Sequence, residues 1–205
     1  MSICEQGSVG LSESRLNELV AVLMDNSAAD ARREAAALAL TQLGREALPP
    51  LRDLLRRKDA DQRWWGARAL AALGGQDSVS LLIDVLSDPD PDVRVCAAMG
   101  LGMLGAPEAV IPLTRLLADE SAYVGRIASN ALIHIGQPAI PALIEALSSE
   151  SSAARAGAAR ALVPLASPDA IPALFAALDD ASALVTYYAW EALERLGVGT
   201  VFLIP

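Results

Sequence analysis

Apolar residues recur along this chain at helical rather than strand spacing. Ahead of Gly105, the positions Val93, Ala97, Gly100, Leu101 and Leu104 fall four, three, one and three residues apart. That spacing marks one face of a 3.6-residue helix. The pattern returns with a fixed period. Markers at Gly44, Gly74, Gly105, Gly136, Ala166 and Gly197 are separated by 30, 31, 31, 30 and 31 residues. Reading back from them, Arg33-Glu-Ala-Ala-Ala-Leu-Ala-Leu, Arg63-Trp-Trp-Gly-Ala-Arg-Ala-Leu and Arg94-Val-Cys-Ala-Ala-Met-Gly-Leu superimpose. Gly125-Arg-Ile-Ala-Ser-Asn-Ala-Leu, Arg155-Ala-Gly-Ala-Ala-Arg-Ala-Leu and Thr186-Tyr-Tyr-Ala-Trp-Glu-Ala-Leu continue the series. Six matches in one register are the signature of a repeat architecture.

Each period predicts two helices. The pairs are 13–25 with 30–43, 46–57 with 61–73, 77–87 with 91–104, 107–118 with 122–135, 138–148 with 152–165, and 168–178 with 182–196. A glycine marker suits the left-handed residue that ends a helix. Prolines at 49, 112, 141 and 172 fall near the start of the shorter first helix, where an absent N–H costs little. Asp88, Asp90, Asp92, Asp119 and Asp179 lie between the two helices, placed to cap the second and complement its dipole. The cluster Asp88–Asp92 could also suggest a cation site, but capping explains it and dedicated calcium-loop spacing is missing. Pro164, inside the fifth second helix, predicts a kink or an early end there.

Composition explains how such a chain stays in water. Hydrophobic residues make up 53% of it but aromatic residues only 4%, so the apolar mass is aliphatic. The mean hydropathy of +0.36 does not indicate a membrane span. The stretches around 128–147 and 159–178 are broken by prolines and by Glu145 or Asp169. No secretory signal is visible at Met1–Glu5, and Cys4 and Cys96 make no disulfide framework, so the expected compartment is the cytoplasm. The net charge of −9 argues against general nucleic-acid binding. Charge is uneven: residues 45–68 carry +3 and residues 69–205 carry −9. The basic stretch reads either as a solvated helix pair or as a dock for an acidic partner.

The motif Asp92-Val-Arg-x-x-Ala-Ala-x-x-Leu-Gly-x-Leu-Gly105, followed by Ala109-Val-Ile-Pro-Leu, resembles HEAT repeats. Its short unit is similar to the HEAT-like repeats of the phycobilisome (bilin) lyase type. The resemblance implies an all-α fold, a right-handed α-α superhelix (HEAT-like solenoid) of about six helix pairs. First helices would form its convex layer and second helices its concave layer. The expected organisation is an N-terminal tail at 1–11, the solenoid at 12–197 and an apolar tail at 198–205. That last segment either folds over the final repeat or docks a partner. In such arrays the recurring Arg pairs with the Asp two positions earlier, which Asp61–Arg63 and Asp92–Arg94 retain. Gly125 and Thr186 break that ladder.

Positions ten, six and three residues before each marker should face away from the core. Collected, they place Trp64, Arg68, Val95, Met99, Arg126, Asn130, Ile133, Arg160 and Tyr187 on the concave face, with Val163 among their apolar neighbours. An apolar strip rimmed by Arg reads as a partner-binding surface, unless neighbouring repeats bury it. Trp65, Tyr188 and Trp190 are read as packing residues, and Tyr123 as stacking on a neighbour.

Catalytic groups are sparse. His134 is the single histidine and is followed by Ile135, so the His-Glu ligand pairs of HEAT-repeat deoxyhypusine hydroxylases are missing. No phosphate loop or nucleophile–base pair stands out. The expected function is a non-catalytic scaffold binding another protein on its concave surface, with no cofactor and no metal. The alternative is a bilin lyase subunit or phycobilisome assembly or degradation factor, with bilin as substrate. A heterodimer partner is then implied, and Arg126 and Arg68 would be the propionate partners. A third reading has the acidic convex edge meeting a basic surface.

Overall fold

A computed structural model describes residues 4–198 of the chain. These residues form helices throughout, with no strand among them. In order they are α1 (Cys4–Met24), α2 (Asp30–Leu40), α3 (Leu48–Leu54), α4 (Ala60–Leu73), α5 (Gly75–Val85) and α6 (Pro91–Met103). Then follow α7 (Val110–Leu116), α8 (Ala122–Ile135), α9 (Ile140–Ala146), α10 (Ser152–Leu165), α11 (Ile171–Ala177) and α12 (Ala183–Arg195). Single 3-10 turns at Pro107–Ala109, Gln137–Ala139 and Pro168–Ala170 lead into α7, α9 and α11. Helix α1 begins at Cys4, inside the segment expected as an N-terminal tail at 1–11. The C-terminal tail lies, past Val198, outside the described residues.

Contacts divide the chain into two compact units, residues 1–100 and 101–205. In the first, α2 packs on α1 and α4, and α3 packs on α4 and α5. In the second, α8, α10 and α12 lie side by side in sequence order, with α7 against α8 and α9, and α11 against α12. Each unit thus carries a layer of first helices and a layer of second helices.

The periodic positions explain both layers. Four residues before each marker stand Leu40, Leu70, Leu101, Leu132, Leu162 and Leu193, all fully buried. Leu51, Leu82, Leu113, Leu143 and Leu174 match them from the first helices. Burying each such side chain is worth about 1.5–3 kcal/mol. Seven residues before the marker, Ala37, Ala67, Ala98, Ser129 and Ala159 are buried and small. That size lets neighbouring helices approach closely.

All six markers have positive φ, including Ala166 at 44°. The marker amides of Gly74, Gly136 and Ala166 donate to the buried-leucine carbonyls of residues 70, 132 and 162. Pro164 does not shorten α10, which runs the same 14 residues as α8. Proline in the last turn removes a single helical bond, and the left-handed Ala166 still closes the helix.

The recurring Arg is buried at 33, 63 and 94 and half-buried at 155, and its role differs from the expected Asp–Arg pairing. Arg63 donates through Nε and Nη2 to Asp88, at 2.7 and 2.8 Å, and through Nη1 to the carbonyls of Arg57 and Lys58. Arg155 repeats this with Asp180 and the carbonyls of Ser149 and Glu150. Arg94 bonds the carbonyls of Asp88 and Pro89. Asp61 instead pairs with Arg33 of the preceding repeat. Residues two apart on a helix do not share a face, so Asp61 cannot turn to Arg63. The bonds join consecutive repeats and satisfy carbonyls left open at first-helix ends.

The acids between helices act as expected, with one shift of register. Asp90 accepts from the amides of Asp92 and Val93, and Asp119 from Ser121. In the last repeat the acceptor is Asp180, from Ser182, rather than Asp179. Asp59 plays the part ahead of α4.

Candidate interaction surface

The predicted binding residues fall in both units and meet different fates. In the first unit, Val95 is buried at 8% exposure and is removed from the candidate surface. The neighbouring Val163, in the second unit, is likewise buried. Trp64 is half-buried, edge-on to Trp65 at 4.8 Å, and its carbonyl faces Cys96 Sγ at 3.7 Å. Arg68 pairs with Glu34, so its charge is matched within the fold. Met99 remains outward, 49% exposed.

The second unit gathers more. Arg126 is exposed, its guanidinium 5.0 Å above the ring of Tyr123, one helical turn earlier. Arg160 donates through Nη1 to Ser129 Oγ at 3.0 Å and through Nη2 to Asn130 Oδ1 at 2.7 Å. Ser129 Oγ in turn donates to the carbonyl of Gly157 at 3.0 Å. This network ties α8 to α10. Ile133 is half-buried, and Tyr187 stands outward at 56% exposure, edge-on to Tyr188 at 5.2 Å.

Arg126 and Arg160 line a cleft of about 420 Å³ shared by α8, α10 and α12. Leu117, Ala156, Gly157, Leu184 and Tyr188 supply its apolar lining, with Asp119 and Glu120 at the α7–α8 turn. Two glycines shape it. A Cβ on Gly125 would lie 3.1 Å from the Leu117 carbonyl, and one on Gly157 would lie 3.0 Å from Leu117 Cδ2. Their absence lets α8 and α10 close on the end of α7.

Sequence reasoning missed Leu184, Tyr188 and Ser129. Tyr188 was expected as packing but lines the cleft. Leu184, 53% exposed, stands in the first turn of α12, where four of the other repeats carry Asp or Ala and the fourth repeat carries Tyr123. That substitution was the signal available. Trp190, also expected as packing, is 48% exposed. It occupies the position that is small and covered in the other repeats, and no further second helix follows α12 among the described residues. Trp65 is buried as expected, with Arg33 4.9 Å above its ring.

In the basic stretch 45–68, three of the seven bases meet acids. Arg45 meets Asp77 at 3.0 Å, Arg63 meets Asp88, and Arg68 meets Glu34. Arg52 and Arg56 line a groove of about 480 Å³ together with Asp77, Asp84 and Asp88. These contacts tie part of the stretch into the fold.

Reactive groups are quiet here. Burial pushes the Cys96 thiol up to about 12, which leaves it protonated at neutral pH. His134 is exposed, its Nδ1 2.8 Å from the Asn130 carbonyl. Among the described residues no three His, Cys, Asp or Glu side chains gather as a metal site. Nor is any helix among them long and apolar enough to cross a membrane.

A sequence model of HEAT repeats matches residues 16–87, 59–133, 79–152 and 140–200, together nearly the whole chain. The chain belongs to the HEAT-repeat family. Solved HEAT-like structures agree with this fold. A HEAT-like repeats protein from the archaeon Thermococcus onnurineus NA1 aligns with a TM-score of 0.58 at 13% identity, covering 88% of this chain and 80% of that one. The CpcE–CpcF complex of phycocyanin lyase from Nostoc sp. PCC7120 aligns with a TM-score of 0.51 at 26% identity, covering 89% and 77%. No curated protein matches this HEAT-repeat chain.

Proposed function

We propose that this HEAT-repeat protein is a non-catalytic cytoplasmic scaffold that binds another protein on the face formed by its second helices. The observation that carries the reading is the apolar cleft of the second unit with Tyr123, Leu184 and Tyr187 about half exposed around it. Large exposed apolar and aromatic groups around a recess are the usual composition of a recognition patch. Arg126 and Asn130 from α8, Arg160 from α10 and Tyr187 from α12 supply that patch. In the first unit Met99 and the exposed part of Trp64 remain candidates.

Photo-crosslinking tests this. A photoreactive residue at Tyr187 is predicted to yield a discrete adduct with a protein partner. One at Ile111, exposed on the first helix α7, is predicted to yield none. Adducts from Ile111 alone, or from neither position, contradict the reading.

The likeness to the CpcE–CpcF complex at 26% identity supports a second reading, a subunit of a bilin lyase acting with a partner chain. Arg68 leaves that reading because Glu34 holds it, while Arg126 and Arg160 remain beside the cleft. A bilin mixed with the protein and its partner chain would then show a shifted visible spectrum. An unchanged spectrum removes this alternative.

A further inference from the structure

We propose that the cleft between α8, α10 and α12 takes an acidic segment of a protein partner, with an aromatic or aliphatic side chain inside and flanking carboxylates on Arg126 and Arg160. This deepens the scaffold reading and rests on it.

The charge state of the two arginines is the starting point. Arg33, Arg63, Arg68 and Arg155 each hold a carboxylate within the fold. Arg126 and Arg160 are held instead by neutral groups: a tyrosine ring for the first, a serine hydroxyl and an asparagine carbonyl for the second. Among the described residues neither guanidinium is paired with an acid. A guanidinium offers five N–H donors, and Arg160 spends two of them on Ser129 and Asn130. The rest are available to a carboxylate, in charge-assisted bonds about twice as strong as neutral ones. Because both groups are already positioned, little side-chain entropy is lost on binding.

The remainder of the cleft selects the rest of the ligand. Its apolar lining rewards a buried side chain and penalises a polar one left without partners. Its volume of about 420 Å³ lies within the range of about 300–1,000 Å³ of sites that enclose small organic groups. Gly125 contributes by omission: Arg63 and Arg155, at the same register, send guanidiniums to their own inter-helix turns, and no side chain occupies that path beside Leu117. In a chain of net charge −9, attraction to these two arginines is short-ranged and salt-sensitive.

The test uses fluorescence polarisation of the full chain with three labelled short peptides. One has a central Phe between glutamates, one replaces that Phe with Ser, and one replaces the glutamates with lysines. The first peptide is expected to bind in the micromolar range, the Ser peptide at least about tenfold more weakly, and the Lys peptide not at all. Arg126→Gln, an exposed substitution that leaves packing intact, is expected to weaken the first peptide about tenfold. Arg160→Gln should do so as well, with its folding checked by circular dichroism because it also removes the α8–α10 tie. Equal binding of the Glu and Lys peptides overturns the proposal. So does no binding of the Glu peptide at about 1 mM, or an unaltered affinity in Arg126→Gln. In each of those cases the adduct from position 187 still decides whether the second-helix face binds protein.

Discussion

Arg63 shows how much of this fold one residue can hold. Its guanidinium closes two carbonyls of its own turn and grips Asp88 of the next with two bonds. Both side chains are almost fully buried. Arg63→Ala would strand Asp88 and is predicted to cost about 3–5 kcal/mol, read as a lower denaturant midpoint. The Arg155 guanidinium holds Asp180 below the usual carboxylate range, with the Ser182 amide helping. A carboxylate depressed in the folded state contributes stability above its unfolded pKa of about 3.9 and loses it as pH falls through the folded value. Unfolding midpoints should therefore drop below about pH 4, and Asp180→Asn should flatten that acid limb while lowering the plateau at neutral pH. The recurrence of Arg was legible in the sequence, but its partner was not. The pairing reaches 25 residues ahead into the next turn, and local spacing points to the wrong Asp.

Helix ends are where the repeat was most readable. Every marker adopts positive φ, so the period set by glycines in the sequence is a period of helix stops. Ala166 is the exception in chemistry and not in conformation. A left-handed non-glycine residue costs about 1–2 kcal/mol, so Ala166→Gly is predicted to stabilise by roughly 1 kcal/mol in urea unfolding. Close approach gives the opposite case. A Cβ on Gly102 would lie 2.8 Å from the Ala131 backbone, so Gly102→Val should destabilise by about 1–3 kcal/mol. Two features escaped the pattern. The start of α1 lies outside the repeat and carried no periodic signal. Pro164 suggested an early stop, yet it sits where only one helical bond remained to be lost.

At the scale of the molecule, the aliphatic composition has a structural cause. Small residues space the second helices, leucines fill between the layers, and arginines with aspartates join the turns. The fold class followed from this periodicity. The candidate surface followed less completely, because the cleft is lined from a face rotated off the one assigned at ten, six and three residues before each marker. It adds Leu184, thirteen residues before its marker, and Tyr188, nine before, while Val95 and Val163 are covered. Burial by a neighbouring repeat cannot be read from one helix's own period. The central claim is that a protein partner binds the second-helix face. Its most direct test is calorimetric titration of the partner captured at position 187 against Tyr187→Ala and Ile111→Ala chains of matched stability. The account predicts an affinity loss of about tenfold or more for Tyr187→Ala and none for Ile111→Ala. Unchanged affinity in Tyr187→Ala, or a loss confined to Ile111→Ala, would contradict it.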